Sequence, residues 1–163
     1  QGVSSAASDV YKRQLGYYKN QEATEQIFDA DGWLHTGDMA VINPEGDVYI
    51  KGRCKNMLLS ASGQNIYPEE IESRLNNLPY VNESLVIMCN EKLVALVYPD
   101  LGESLKDGLD DHALWRQIDI SRQELNKELP PYSQITKVVL QNEEFEKTAK
   151  KSIKRYLYQN MNP

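Results

Sequence analysis

The run "ESLVIMCNEKLVALVYPD", residues 83–100, constrains the fold more than any other stretch of the chain. It holds two almost continuously apolar segments joined by a polar turn at Cys89–Lys92. Short apolar runs of this kind read as strands, and strands with no polar face must be covered on both sides. A central β-hairpin packed under helices is therefore expected. The cover is expected from an amphipathic helix beginning at Pro68, with Glu69 and Glu70 in its first turn and Ile71, Leu75 and Leu78 on one face, ending near Asn77 before Pro79. A second helix is expected from about Asp111 to Glu128, its face marked by Leu114, Ile118, Leu125 and Leu129 and its end by Pro130–Pro131. "ITKVVLQ" supplies a third strand, and "KKSIKRYLYQNM" reads as a short amphipathic helix with Ile153, Leu157 and Met161 on one side. "MLLS" can also be a strand, followed by the polar loop "SASGQN".

Upstream, "MAVI" and "DVYIKG" flank the turn "NPEG" and read as a second hairpin. The expected fold class is α+β: a small C-terminal domain with a three-stranded sheet and about three helices, preceded by a β-hairpin that is the remnant of a larger domain. The boundaries fall at 15–53 for the remnant and 54–163 for the compact domain. Gln1–Gln14 stands apart. Its "VSSAASDVYKRQ" resembles a translated sequencing adapter, so this tail is expected to be non-native or disordered, with the protein's own sequence joined partway through at Leu15.

Charge and cysteine use narrow the function. The 163 residues carry a net charge of −6, which disfavours a general nucleic-acid binder because phosphate neutralisation needs an excess of Lys and Arg. Cys54, Cys89, His35 and His112 lack metal-ligand spacing, so no metal site is expected. The cysteine pattern fits a reducing cytoplasm, and no apolar run reaches the roughly 18–20 residues of a transmembrane helix.

Three motifs then occur in order: "GWLHTGD", "GRCKN" and "SASGQNIYPEEIE". With "GYYKNQEAT" before them and the lysine-rich "EKTAKKSIKR" at residues 146–155, they resemble the adenylate-forming superfamily of acyl-CoA synthetases, and the long-chain fatty acid–CoA ligases of bacteria in particular. The resemblance covers Leu15 to about Gln159. It implies a fragment of an acid–thiol ligase that activates a carboxylic acid with ATP to an acyl-adenylate and transfers the acyl group to CoA. Mg2+ would be held by ATP and by a large N-terminal domain outside this chain. The fragment alone is expected to be inactive, and the full-length protein cytoplasmic, with peripheral membrane contact left open.

The resemblance also implies roles for residues. Asp38 of "TGD" would bind the ribose hydroxyls, since a carboxylate offers two acceptors to a cis-diol. Arg53 would reach the same nucleotide. Lys55 stands at the hinge of the mobile domain. Ser62, Gly63 and Gln64 lie in the loop expected to line the pantetheine tunnel, where the usual paired glycines are reduced to Gly63. The lysine-rich segment resembles a loop of pattern P-K-T-x-x-G-K-x-x-R, whose lysine stabilises charge during adenylation. Laid without gaps on 146–155, the pattern matches Lys147, Thr148 and Arg155, but its glycine falls on Lys151 and its lysine on Ser152. Lys151 and Lys154 are the candidate catalytic lysines, with Lys150 behind them. Two rival readings remain: a non-catalytic nucleotide- or partner-binding module of the same fold, and a peptide-synthetase adenylation domain that donates to a carrier protein.

Overall fold

A computed structural model describes residues 15–159 and 161. The expectation for Gln1–Gln14 lies outside the described residues. The chain divides into two compact units, one ending at Lys55 and the other beginning at Asn56.

In the first unit, helix α1 (Gln21–Ile27) starts at Asn20, whose side chain accepts from the Ala23 amide. It is followed by an antiparallel hairpin of β1 (Asp38–Ile42) and β2 (Val48–Arg53), with Asp38 paired to Arg53 across it. The "NPEG" turn closes the hairpin, with the Asp47 amide donating to Asn43 Oδ1 at 2.7 Å. Helix α1 was not anticipated: "QEATEQI" buries no residue and so lacks the apolar stripe that marks a helix in sequence.

The second unit contains a small ladder and a three-stranded sheet. Strands β3 (Leu58–Leu59) and β4 (Asn65–Ile66) pair antiparallel around the "SASGQN" loop. Helix α2 (Pro68–Leu75) follows, with Pro68 at its start and Asn76 as its cap. The apolar hairpin is β5 (Val81–Cys89) and β6 (Lys92–Pro99), turning on Asn90 and Glu91, both at positive φ (49° and 62°). Two successive left-handed residues match the twist of the flanking strands. Helices α3 (Leu101–Lys106) and α4 (Asp111–Glu128) lead to β7 (Ile135–Leu140), which pairs parallel to β6, giving the order β5-β6-β7. The unit is thus α+β, as expected.

The sheet is covered on both faces, but by different material. On one face Val86, Leu93, Ala95, Val97 and Val138 pack with Ile71 and Leu75 of α2 and Leu114, Ile118 and Leu125 of α4. On the other, Leu85, Ile87, Val94 and Leu96 pack with Phe145, and Ile153 and Tyr158 close over them. That second cover corrects the expected terminal helix. Lys147 bridges to Ile153 in extended backbone, and only Arg155–Leu157 makes a single 3-10 turn, with Leu157 and Met161 exposed. A helix from Lys150 would have set Lys150 and Lys151 at repelling i, i+4 and i, i+3 spacings from Lys154. The third helix of this unit is instead α3, capped by Asp100 Oδ1 accepting from the Glu103 amide.

Candidate functional site

Hairpin β1–β2 brings the two nucleotide candidates together. Asp38 and Arg53 face each other in register, and Arg53 Nε donates to Asp38 Oδ1 at 3.0 Å. Arg53 Nη1 also donates to the Thr36 carbonyl at 2.9 Å, so the guanidinium is braced on both sides of Gly37. Gly37 takes φ 75°, a conformation that glycine adopts without the penalty a Cβ would bring, and its carbonyl accepts from the Cys54 amide. The "TGD" and "GR" motifs are thus one local structure. The Asp38 carboxylate is 32% exposed and Arg53 60%, so both remain within reach of a ligand. Lys55 sits in the 3-10 turn Cys54–Asn56, where the chain passes between the units. Nearby, His35 and Trp33 bond locally to Asp29: His35 Nε2 lies 3.2 Å from Oδ2, and the Trp33 amide donates to Oδ1. These bonds hold the Asp29 carboxyl below the usual aspartate range, the Trp33 amide contributing most.

The loop at Ser62, Gly63 and Gln64 is the tight end of β3–β4. The Gly63 amide donates to the Ser60 carbonyl, the Gln64 amide to Ser60 Oγ, and Gly63 adopts φ 76°. A Cβ on Gly63 would meet nothing within 4 Å, so left-handed backbone and not crowding accounts for the glycine. Ser60, Ala61 and Ser62 form one wall of an open cleft of about 270 Å³, opposite Tyr132, Gln134 and Thr136.

The lysine-rich segment is a small hairpin. The Thr148 amide donates to the Ser152 carbonyl, the Lys151 amide to the Thr148 carbonyl, and the Lys154 amide to the Glu146 carbonyl. Lys151 takes φ 61°, the left-handed region. The structure sorts the cations of this segment into two groups. Lys147 Nζ lies 2.7 Å from Glu83, Lys154 Nζ 3.0 Å from Glu146, and Arg155 pairs with Glu72. The carboxylates raise the pKa of Lys147 and of Lys154, chiefly through the hydrogen bonds from Glu83 and Glu146. Lys150 and Lys151, at the exposed tip, have no carboxylate partner among the described residues. Lys151 and Lys154, paired as candidates in the sequence, therefore differ in setting: one is at the tip and one is tied down at the base.

Glu72 was missed. It is 8% exposed, and Oε1 accepts from the Val86 amide at 2.6 Å while Oε2 accepts from Arg155 Nη2. Burial raises its pKa, opposed by the Arg155 charge and the Val86 amide. The signal was present but ambiguous, since Glu72 directly follows Ile71 and lies three residues before Leu75, on the buried face of α2. Among the described residues no cluster of three or more His, Cys, Asp or Glu could hold a metal ion, and no helix is long and apolar enough to cross a membrane.

The profile of the AMP-binding enzyme C-terminal domain matches residues 55–161. The chain belongs to this family. Its relatives are acyl-CoA synthetases and other CoA ligases. A 2-methylpropanoate–CoA ligase of Humulus lupulus is 32% identical over 147 residues, which cover 90% of this chain and 25% of the relative. A peroxisomal long chain acyl-CoA synthetase of Arabidopsis thaliana is 42% identical over 94 residues, 56% of this chain and 13% of the relative. Among solved structures, the adenylation domain of a carboxylate reductase from Mycobacterium chelonae is 26% identical with a TM-score of 0.77, covering 88% of this chain and 24% of that one. This AMP-binding C-terminal domain chain spans a quarter or less of the length of each of these proteins.

Proposed function

We propose that the chain is the C-terminal part of an AMP-forming acid–thiol ligase. In the reaction, a carboxylate oxygen attacks the α-phosphorus of ATP, pyrophosphate leaves, and the CoA sulfur then displaces AMP from the acyl-adenylate. The carrying observation is the pairing of Asp38 with Arg53 at the exposed start of one hairpin. A carboxylate with a second acceptor oxygen suits a ribose cis-diol, and the braced guanidinium offers further donors beside it. Residues 54–163 would be the mobile domain, pivoting at Lys55, and the loop Ser62–Gly63–Gln64 would line the path of the pantetheine arm. ATP phosphates, Mg2+ and the acyl chain would be held largely by a preceding N-terminal domain. A long-chain fatty acid is the proposed substrate, supported by the long-chain synthetase among the relatives. A cytoplasmic setting belongs to the same proposal.

Within the lysine hairpin, the tip is the proposed source of the charge that meets the developing negative charge on phosphate. Lys151 is preferred to Lys154, whose ammonium is already engaged by Glu146. In the full-length protein carrying this chain, Lys150→Ala/Lys151→Ala is expected to slow acyl-adenylate formation by about 100-fold, the scale of losing a preorganised electrostatic contact. Lys154→Ala should slow it far less. The purified chain by itself should show no ATP–pyrophosphate exchange.

Ser152 at the position of the pattern's lysine favours the second reading, a non-catalytic module of the same fold. No acyl-adenylate formation by the unsubstituted full-length protein would support that reading and overturn the first, whereas an unchanged adenylation rate in the double lysine variant would overturn the assignment of the tip lysines.

A further inference from the structure

The tip lysines can act only if the hairpin that presents them is held in place, and a buried clamp between Glu72 and Arg155 holds it. Glu72 reaches from α2 to the β5 backbone and bonds the Val86 amide with one oxygen and Arg155 with the other. Arg155 Nη1 also donates to the Val86 carbonyl at 3.4 Å, so acid and guanidinium bracket the same residue of β5. Their side chains are 10% and 16% exposed. Two further contacts extend the clamp: Lys147 reaches Glu83 on β5, and the Glu146 amide donates to the Tyr158 hydroxyl, whose ring packs edge-on against Phe145 at 5.2 Å. The hairpin is thereby fixed at both ends, by Lys147 and Arg155, while Lys150 and Lys151 extend beyond the fixed points.

A buried ion pair is a poor way to gain stability, because desolvation offsets much of the attraction and a packed apolar pair often does as well. What it supplies is fixed geometry. An apolar contact here would tolerate sliding, whereas an acid bonded to a strand amide and a guanidinium bonded to that acid define one arrangement. We propose that Glu72 is a positioning residue: through Arg155 it sets where the Lys150–Ser152 tip stands on the domain, and so supports adenylation without taking part in thioester transfer. This rests on the reading of the hairpin tip given above.

The test is Glu72→Gln in the full-length protein, since glutamine keeps the shape and an acceptor for the Val86 amide while removing the charge that holds Arg155. Acyl-adenylate formation and thioester formation from supplied acyl-adenylate are measured separately, with hydrogen exchange across residues 147–154. Adenylation is expected to fall about 10- to 100-fold, the scale of a small misplacement of a reacting group. Thioester formation should stay unchanged, and the Thr148, Lys151 and Lys154 amides should lose protection. Equal loss in both half-reactions, or protection unaltered in the variant, overturns the proposal. If Glu72→Gln does not fold, Arg155→Lys carries the same comparison, keeping the charge but giving up the fork that bridges Glu72 and Val86. Failure of the underlying reading looks different: the double tip-lysine variant would adenylate normally, whatever the exchange data show about the clamp.

Discussion

Lys151 occupies a backbone conformation that suits glycine better than any residue with a Cβ. Its φ of 61° places it in the left-handed region, where an L side chain costs about 1–2 kcal/mol. Lys151→Gly should therefore stabilise this chain by about 1 kcal/mol in urea unfolding, after allowance for the extra freedom glycine gains when unfolded. The substitution would also remove one of the two tip ammonium groups. A residue that strains the backbone and carries the preferred charge trades stability against function, and an unchanged or lowered unfolding midpoint would contradict this account. At the same scale, the hairpin that carries Asp38 and Arg53 and the polar turn at Gly63 were legible in the sequence, because each is set by neighbours close along the chain. Glu72 was not. Glu72 follows two first-turn acids, Glu69 and Glu70, that the helix dipole favours on any face, so a third acid beside them gave no hint that it faced the core. The division of the lysines was equally hidden, because their partners Glu83 and Glu146 are ordinary surface residues until the fold brings them together.

Helix α4 shows why some elements read clearly and others do not. Its apolar residues recur at helical spacing over 18 residues, Asp110 caps it by accepting from the Ala113 amide, and its observed limits match the expected ones. Helix α3 is short, carries Gly102 inside it and buries only Ser104, so periodicity had nothing to detect. The polar contacts from α4 to β7 are likewise invisible in sequence. Asn126 donates to and accepts from the backbone of Ile135, and Arg122 Nη1 donates to the same carbonyl at 2.7 Å. Arg122 is itself oriented by Asp119, 2.7 Å from its Nε. The bonds from Arg122 and then Gln123 hold the Asp119 carboxyl below the usual aspartate range. A lowered folded-state pKa means that the unfolded chain binds more protons in acid, so the stabilisation is present above about pH 4 and is lost as pH falls. Asp119→Asn is expected to cost about 1.5–3 kcal/mol at pH 7, the range for hydrogen bonds to charged groups. Urea titrations of the two proteins should converge as pH falls from about 4 through the lowered folded-state value, and a gap that does not shrink along that fall would exclude the carboxylate as its source.

At the scale of the molecule, the α+β class and the central hairpin were readable from apolar patterning alone. The material covering the second sheet face was not. Phe145, Ile153 and Tyr158 reach it from a segment whose charges dominate its appearance, so three isolated contacts stood in for a stripe. The order of the strands has a further consequence, concerning time. β5 and β6 are joined by two residues, whereas β7 reaches its place beside β6 only after residues 100–134 have been passed. Closing that loop costs entropy before any pairing is gained, so the hairpin should form early and β7 should dock late. Val138→Ala, in β7, is expected to lose about 1–3 kcal/mol of stability mainly by faster unfolding, and Val86→Ala, in the hairpin, mainly by slower folding. Stopped-flow measurements on this chain distinguish the two, and a slower folding rate for Val138→Ala would reverse the order. Until β7 arrives, "LVALVY" has an unpaired edge, apolar and open to any other strand that meets it. The most buried strand of the finished domain is thus its most exposed aggregation hazard during synthesis.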